Sequence, residues 1–444
     1  MDTMTIATAS KLLAEGSLSS QELVSQCLDS IEKQNEALNA LVSISPTALA
    51  EAEALDREAV QQGRRSPLHG IPFIIKENID VCGLPSTVSS ALFKDSAPKT
   101  LDSTIAAHLR NAGAVLLGKS NMDELAAHVS GMTSVFGPTV NPFSPEGDGY
   151  SPGGSSSGSA ASVAAGFSLA AVGTDTGGSV RIPAAWCGLC GLRPTHGLMS
   201  SFGVFPRAET LDAVGFFALN VQDMETLFST LTKSVSSAEV PPSPLREFSV
   251  TVPENIFDVS LDQETTDLFN EAVENCKACG MAVTFRRIPW DFALYEKLSN
   301  TIRAYEFALH AGQWIFAFPQ KELLHPLIVA DYERGLSIAR AEYLEALAQR
   351  KKLQSSLDEL FGDSDMLLAP ATPCRPLPLS SPLAAFKAAR QFMDLGSVTG
   401  IPTLVVQNGK TSEGLPSGIQ LIGKPWQETL LIQAGLTIEH FRLS

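Results

Sequence analysis

The spacing of apolar residues changes character along the chain. Near the N-terminus Leu23, Val24, Cys27, Leu28 and Ile31 recur on one helical face behind Ser19-Ser20-Gln21-Glu22. A capping-box pattern followed by such a face predicts an amphipathic helix. The Ala- and Glu-rich stretch from Pro46 to Gln62 predicts a second, so residues 1–65 read as a helical N-terminal layer. From Pro67 the texture becomes short apolar runs punctuated by glycine, at 71–75, 114–118 and 170–174, with helical stretches such as Ser103 to Ala112 between them. That alternation predicts an α/β fold, a sheet with helices packed on its faces.

Farther along, S-V-T-V-P at 249–253 and A-V-T-F-R-R-I at 282–288 read as strands, and 300–361 reads as mostly helix. T-L-V-V-Q at 403–407 and S-G-I-Q-L-I-G at 417–423 return to strand texture. The return predicts that the last strands rejoin the first sheet, giving one domain over residues 1–444. The segment 234–246, rich in small polar residues and proline, is the best linker candidate. It need not mark a domain boundary.

Composition narrows the function classes. A chain of 444 residues with 44% hydrophobic and 18% charged residues can bury a large core and has no disorder-promoting excess. The formal net charge of −16, without a basic stripe, argues against nucleic acid or an anionic membrane surface as a direct partner. The N-terminus lacks a basic region followed by an apolar run, and Ala160–Val172, the longest apolar candidate, is broken by Ser162, Gly166 and Ser168. A cytoplasmic protein is expected. Seven cysteines, an odd number, do not make a disulfide framework. The pairs Cys187/Cys190 and Cys276/Cys279 have no histidine at finger-like spacing, so they read as inert thiols rather than a zinc site.

The densest chemistry lies between residues 153 and 196, where G-G-S-S-S-G-S-A and G-T-D-T-G-G-S-V-R-I-P-A-A flank an Ala-rich run. Glycine has no Cβ to keep a ligand away from the backbone, so such turns present N–H groups and hydroxyls to a bound atom. Amide hydrolysis through an acyl-enzyme needs a nucleophilic hydroxyl, a base and oxyanion donors. Ser179 follows T-D-T-G-G, whose N–H groups at Thr176, Gly177, Gly178 and Ser179 could form an anion-binding nest, and Ser155 closes a second tight turn. His69, His108, His128 and His196 stand in no pattern that pairs one with a nucleophile elbow.

These motifs, with G-I-P-F-I-I-K-E-N at 70–78 and C-G-L-R-P-T-H-G at 190–197, resemble the amidase signature family. The resemblance continues through G-K-S-N-M-D-E-L at 118–125, T-L-D-A-V-G-F at 210–216, D-M-L-L-A-P at 365–370 and G-L-P-S-G-I-Q-L-I-G at 414–423, nearly the whole chain. It implies one large mixed sheet covered by helices on both faces, with a signature core over about 66–232 and a substrate-pocket region over about 247–444. It also implies a Ser–Ser–Lys triad of Ser179 as nucleophile, Ser155 as proton bridge after a cis peptide, and Lys76 as general base. Asp175 and Arg181 would tie the nucleophile turn together, and Ser156 would hold the bridge loop. His196 reads as packed structure. Ser157 replaces a glycine common in the family, and Ser397 takes the place of an asparagine.

The implied reaction is hydrolysis of a small or medium carboxamide, needing water and no cofactor or metal. A homodimer is the candidate assembly. The glutaminase subunit of a tRNA-dependent amidotransferase is the alternative, although residues 301–310 read T-I-R-A-Y-E-F-A-L-H where an R-Y-D-G-type segment would be expected. A non-catalytic scaffold of the same fold is a third reading, disfavoured by the intact triad. Arg303, Tyr305, Trp314, Arg334 and Arg375 are the candidate pocket residues, and the lack of a hydrophobic cap disfavours long-chain lipid amides.

Overall fold

The computed structural model describes residues 4–147, 149–232, 247–312, 315–316 and 321–443. The linker candidate 234–246 and Trp314 lie outside the described residues. The N-terminal layer holds α1 (Ile6–Glu15), α2 (Ser20–Leu38) and α3 (Ala48–Gln62). α2 starts at the expected capping box: the Ser19 hydroxyl accepts from Glu22 N, and the Glu22 carboxylate accepts from Ser19 N at 2.8 Å. The layer is not purely helical as expected. Leu41–Ile44 forms β1, an edge strand antiparallel to β3 (Val115–Ser120), because the chain leaving α2 at Asn39, in a left-handed conformation, turns back along the sheet.

Among the described residues eleven strands form one sheet in the order β1-β3-β2-β4-β6-β5-β10-β11-β9-β7-β8. β2 (Pro72–Lys76) lies parallel to both β3 and β4 (Ala170–Asp175), whereas β6 (Ala213–Ala218) runs antiparallel to β4 and to β5 (Cys190–Arg193). β7 (Ser249–Pro253) and β8 (Ala282–Arg286) take up the stretches read as strands, and β9 (Met366–Pro370) lies parallel to β7. β10 (Thr403–Lys410) and β11 (Pro416–Gly423) insert between β5 and β9, so the C-terminal strands do rejoin the first sheet.

Every residue of β2, β3, β4, β6, β9 and β11 is buried, which requires cover on both faces of the sheet. The cover includes α4 (Thr104–Asn111), α5 (Ser157–Ala164), α6 (Arg181–Trp186), α7 (Val221–Thr232) and α8 (Gln263–Ala278). The Ala-rich run begins in α5 and ends in β4, and the small residues of α5 let it sit hard against its neighbours. A Cβ on Gly158 would collide with the Ala40 carbonyl and lie 2.6 Å from Asn121 N. After α9 (Phe292–Glu306) the helices Pro326–Ser337 and Arg340–Ser355 supply the helical region expected at 300–361.

Candidate active site

Two strand ends and two helix starts converge. Lys76 ends β2 and Asp175 ends β4, so both stand at the C-terminal ends of neighbouring parallel strands, where open α/β sheets place their ligands. Ser155 and Ser156 lead into α5, and Ser179 and Val180 lead into α6.

Lys76 is fully buried, and its Nζ donates to Ser155 Oγ at 2.8 Å, to Thr174 Oγ1 at 2.8 Å and to the Thr174 carbonyl at 3.4 Å. Burial pushes its ammonium down to about 7, against the opposing pull of Asp123, Asp175 and Asp212. The apolar side chains of Ile74 and Ile75 precede it, and both are fully buried. A lysine in this setting is substantially neutral near pH 7 and can accept a proton.

The Gly154–Ser155 peptide is cis. Asp123 N donates to the Ser155 carbonyl at 3.2 Å, and a Cβ on Gly154 would collide with the Asp123 carboxylate. The Ser155 loop joins the Ser179 turn through its backbone, since Ser156 N donates to the Ser179 carbonyl at 3.3 Å. The Ser156 hydroxyl donates to the Thr174 carbonyl at 3.2 Å, tying the loop to β4. Among the described residues Ser179 makes no side-chain hydrogen bond, and it faces the cavity described below.

Asp175 organises the turn that carries Ser179. Its carboxylate accepts from Gly178 N at 2.8 Å, Val180 N at 3.1 Å, Arg181 Nε at 3.0 Å and Arg181 Nη2 at 2.9 Å. Arg193 Nη1 reaches the same carboxylate at 3.1 Å and also the Asp175 carbonyl. Burial opposes the charge on Asp175, but Arg181, Arg193 and the Gly178 N–H outweigh it and hold the carboxyl far below the usual carboxylate range. Ser397 extends the brace: its hydroxyl accepts from Arg181 Nη2 at 2.8 Å and donates to the Met393 carbonyl at 3.1 Å.

This arrangement narrows the oxyanion donors expected from sequence. The Gly178 N–H is directed at Asp175 and is not open to a substrate oxygen. The N–H groups of Thr176, Gly177 and Ser179 have no backbone or side-chain acceptor among the described residues. Gly178 itself is required by its φ of +105° and by Met393, whose Cγ would lie 2.5 Å from an added Cβ. Thr176 Oγ1 donates to Asp212 Oδ1 at 2.5 Å, and burial raises the Asp212 carboxyl to about 6.

A cavity of about 360 Å³ opens at Ser179, Thr176 and Gly177. The later chain lines it too, through Asn300, Arg303, Asp331, Arg334, Lys387 and Arg390. Of the candidate pocket residues, Arg303 and Arg334 line this cavity. Tyr305 instead stacks on Tyr343 with ring centroids 4.2 Å apart, and Arg375 pairs with Glu264 at 2.7 Å; neither lines the cavity.

His196 is half-buried, bonds the Glu209 carbonyl through Nε2 at 2.9 Å and does not line the cavity. Cys187, Cys190 and Cys276 are buried, and burial raises their thiols. Among the described residues no group of three or more His, Cys, Asp or Glu side chains could hold a metal ion, and no helix is long and apolar enough to cross a membrane.

Reading the motifs did not assign roles to Thr174, Asp123, Arg193 or Asp212. A signal existed for Thr174 and Arg193, which are polar side chains within short apolar strands of the quoted motifs. Asp123 and Asp212 also stand within quoted motifs, but the turns they brace, at 130–133 and 207–208, form only in the folded loops.

The comparisons with known proteins agree with this geometry. The family model described as Amidase matches residues 22–432. A curated relative from Methanosarcina barkeri, the A-type subunit of its glutamyl-tRNA(Gln) amidotransferase, is 33% identical, with 98% of this chain and 96% of the relative covered. A crystal structure of an amidase superposes with a TM-score of 0.89 at 28% identity, covering 98% of this chain and 99% of its own. Peptide amidase from Stenotrophomonas maltophilia superposes with a TM-score of 0.82 at 26% identity, covering 99% and 97%. Taken with the eleven-stranded sheet, these matches establish that the chain belongs to the amidase signature family of amide-hydrolysing enzymes.

Proposed function

We propose that the chain hydrolyses the C–N bond of a small or medium carboxamide through a seryl acyl-enzyme. The observation that carries this reading is the buried Lys76, brought down to about 7 and bonded at 2.8 Å to Ser155 Oγ in a loop anchored to the Ser179 turn. Ser179 Oγ attacks the carbonyl carbon while its proton passes through Ser155 to Lys76. The oxyanion is received by the free N–H groups of Thr176, Gly177 and Ser179. Collapse breaks the C–N bond, the Lys76 proton returns through Ser155 to the departing nitrogen, and water then cleaves the ester by the same relay. Asp175 and Arg181, with Arg193 and Ser397, hold the turn and touch no reacting atom.

The unbroken sheet supports treating residues 1–444 as one catalytic domain. The test is Ser179→Ala, expected to lower turnover roughly 10³-fold or more with thermal stability retained. It should also abolish labelling by a fluorophosphonate probe. Near-native turnover by the folded variant refutes the assignment, and unlabelled native protein favours a scaffold.

A second reading, a glutaminase subunit of a tRNA-dependent amidotransferase, is favoured by the likeness to the Methanosarcina amidotransferase. Ammonia release from free glutamine, measured with and without partner subunits, separates the two.

A further inference from the structure

The cavity at Ser179 has an unusual balance of charge. Arg207, Arg303, Arg334, Lys387 and Arg390 line it, and among the described lining residues Asp331 is the one carboxylate. Four of the five cations are matched. Arg207 and Arg334 share Asp331, the latter at 2.6 Å, Arg390 pairs with Asp394 at 3.1 Å, and Lys387 pairs with Glu296 at 2.7 Å.

Arg303 is different. It is 9% exposed, and among the described residues its guanidinium bonds only the Ser299 carbonyl, at 3.2 Å, and the Asn300 side-chain oxygen. No carboxylate pairs with it among the described residues, and the nearby Arg207 Nη1 is buried without a hydrogen-bond partner. Burial, with Arg390 beside it, pushes the Arg303 guanidinium down to about 9 against the weaker pull of Asp394 and Asp331, neither of which pairs with it directly, and it remains charged at neutral pH. A buried, unpaired cation is costly until an anion meets it.

We infer that this cavity recognises an amide that also bears a carboxylate, with Arg303 as the principal receiver of that carboxylate. The inference rests on the amidase reading above for the identity of the scissile group. The same charge balance speaks against an ammonium on the substrate, because Asp331 is engaged by two arginines and has no free role. Glutaramate, which is glutamine without its amino group, is therefore the better substrate of the two.

The experiment measures kcat/KM on native protein for succinamate, glutaramate and N-acetylglycine against the neutral isosteres butyramide, valeramide and N-ethylacetamide. At least one acid should exceed its isostere by about tenfold or more, the scale of one charge-assisted hydrogen bond. Arg303→Met should bring that ratio close to one, with Arg303→Lys restoring part of it. Glutarate should inhibit hydrolysis of a neutral amide competitively on the native enzyme, an arm that does not depend on how the variants fold. Equal turnover of acids and isosteres, with no competition by glutarate, overturns the inference and leaves the amidase reading intact. If no amide is hydrolysed while calorimetry finds glutarate bound, the amidase reading fails and the anion subsite stands. Glutamine turned over faster than glutaramate overturns the exclusion of an ammonium.

Discussion

Lys76 Nζ lies 2.8 Å from Thr174 Oγ1, the same distance that separates it from Ser155 Oγ. Asn78 Nδ2 also donates to Thr174 Oγ1, at 3.1 Å. One threonine hydroxyl on β4 thus aims the Lys76 side chain of β2 across two adjacent parallel strands, and strand pairing fixes its position.

Thr174 is expected to act as a positioning residue. Thr174→Val keeps the shape of the side chain and removes the oxygen, so kcat/KM should fall roughly tenfold. The rising limb of the pH profile should move to lower pH, because an acceptor that favours the ammonium form has gone. Thr174→Ser should restore both. An unmoved limb would show that the hydroxyl is structural only.

The pH dependence follows from Lys76. Its folded-state value of about 7 sets an activity that rises through neutral pH and levels off above it. Lys76→Ala should lower the rate by roughly 10²-fold and erase the limb, whereas His196→Ala should retain it. Stability carries the same signature. The unfolded lysine titrates near 10.4, so between about 7 and 10 the unfolded chain binds more protons and native stability rises with pH. Urea titrations of Lys76→Met should lack that rise.

Removal of Asp175 should be among the most damaging changes. Asp175→Ala leaves Arg181 and Arg193 buried without their common carboxylate, an expected loss of about 3–5 kcal/mol. Because the native carboxyl is held below its unfolded value, its contribution is present above about pH 4 and fades as acid protonates it. The denaturant midpoints of native and variant protein should therefore lie well apart at neutral pH and converge in acid.

Gly154→Ala tests the fit of the bridge loop. The new methyl group meets the Asp123 carboxylate and lies 2.9 Å from Gly131 N, both fixed by other bonds. A destabilisation of about 1–3 kcal/mol is expected, with loss of activity as Ser155 is displaced. Calorimetry and turnover should change together. A stable and active variant would mean that the loop yields easily.

The periodicity of Leu23 to Ile31, the apolar runs of β2, β3 and β4, and the strand texture of 403–423 were legible because local pattern decides them: one apolar face in a helix, continuous burial in a covered strand. Lys76, Ser155 and Ser179 were legible through their motifs, since glycine-shaped turns leave a mark in local sequence. The edge strand β1 was not, because four residues carry little pattern and only pairing with β3 makes them a strand. The commitment of Gly178 N–H to Asp175, the aim of Thr174 at Lys76, and the brace from Ser397 to Arg181 are distances between segments. So is the placing of Arg303 in the lining of the same cavity as Ser179. By itself the sequence determined which groups were available and which turns could carry them. Tertiary packing decided which of those groups meet, because hydrogen-bond partners, desolvation and charge balance arise only when strands and helices far apart in the chain are brought together.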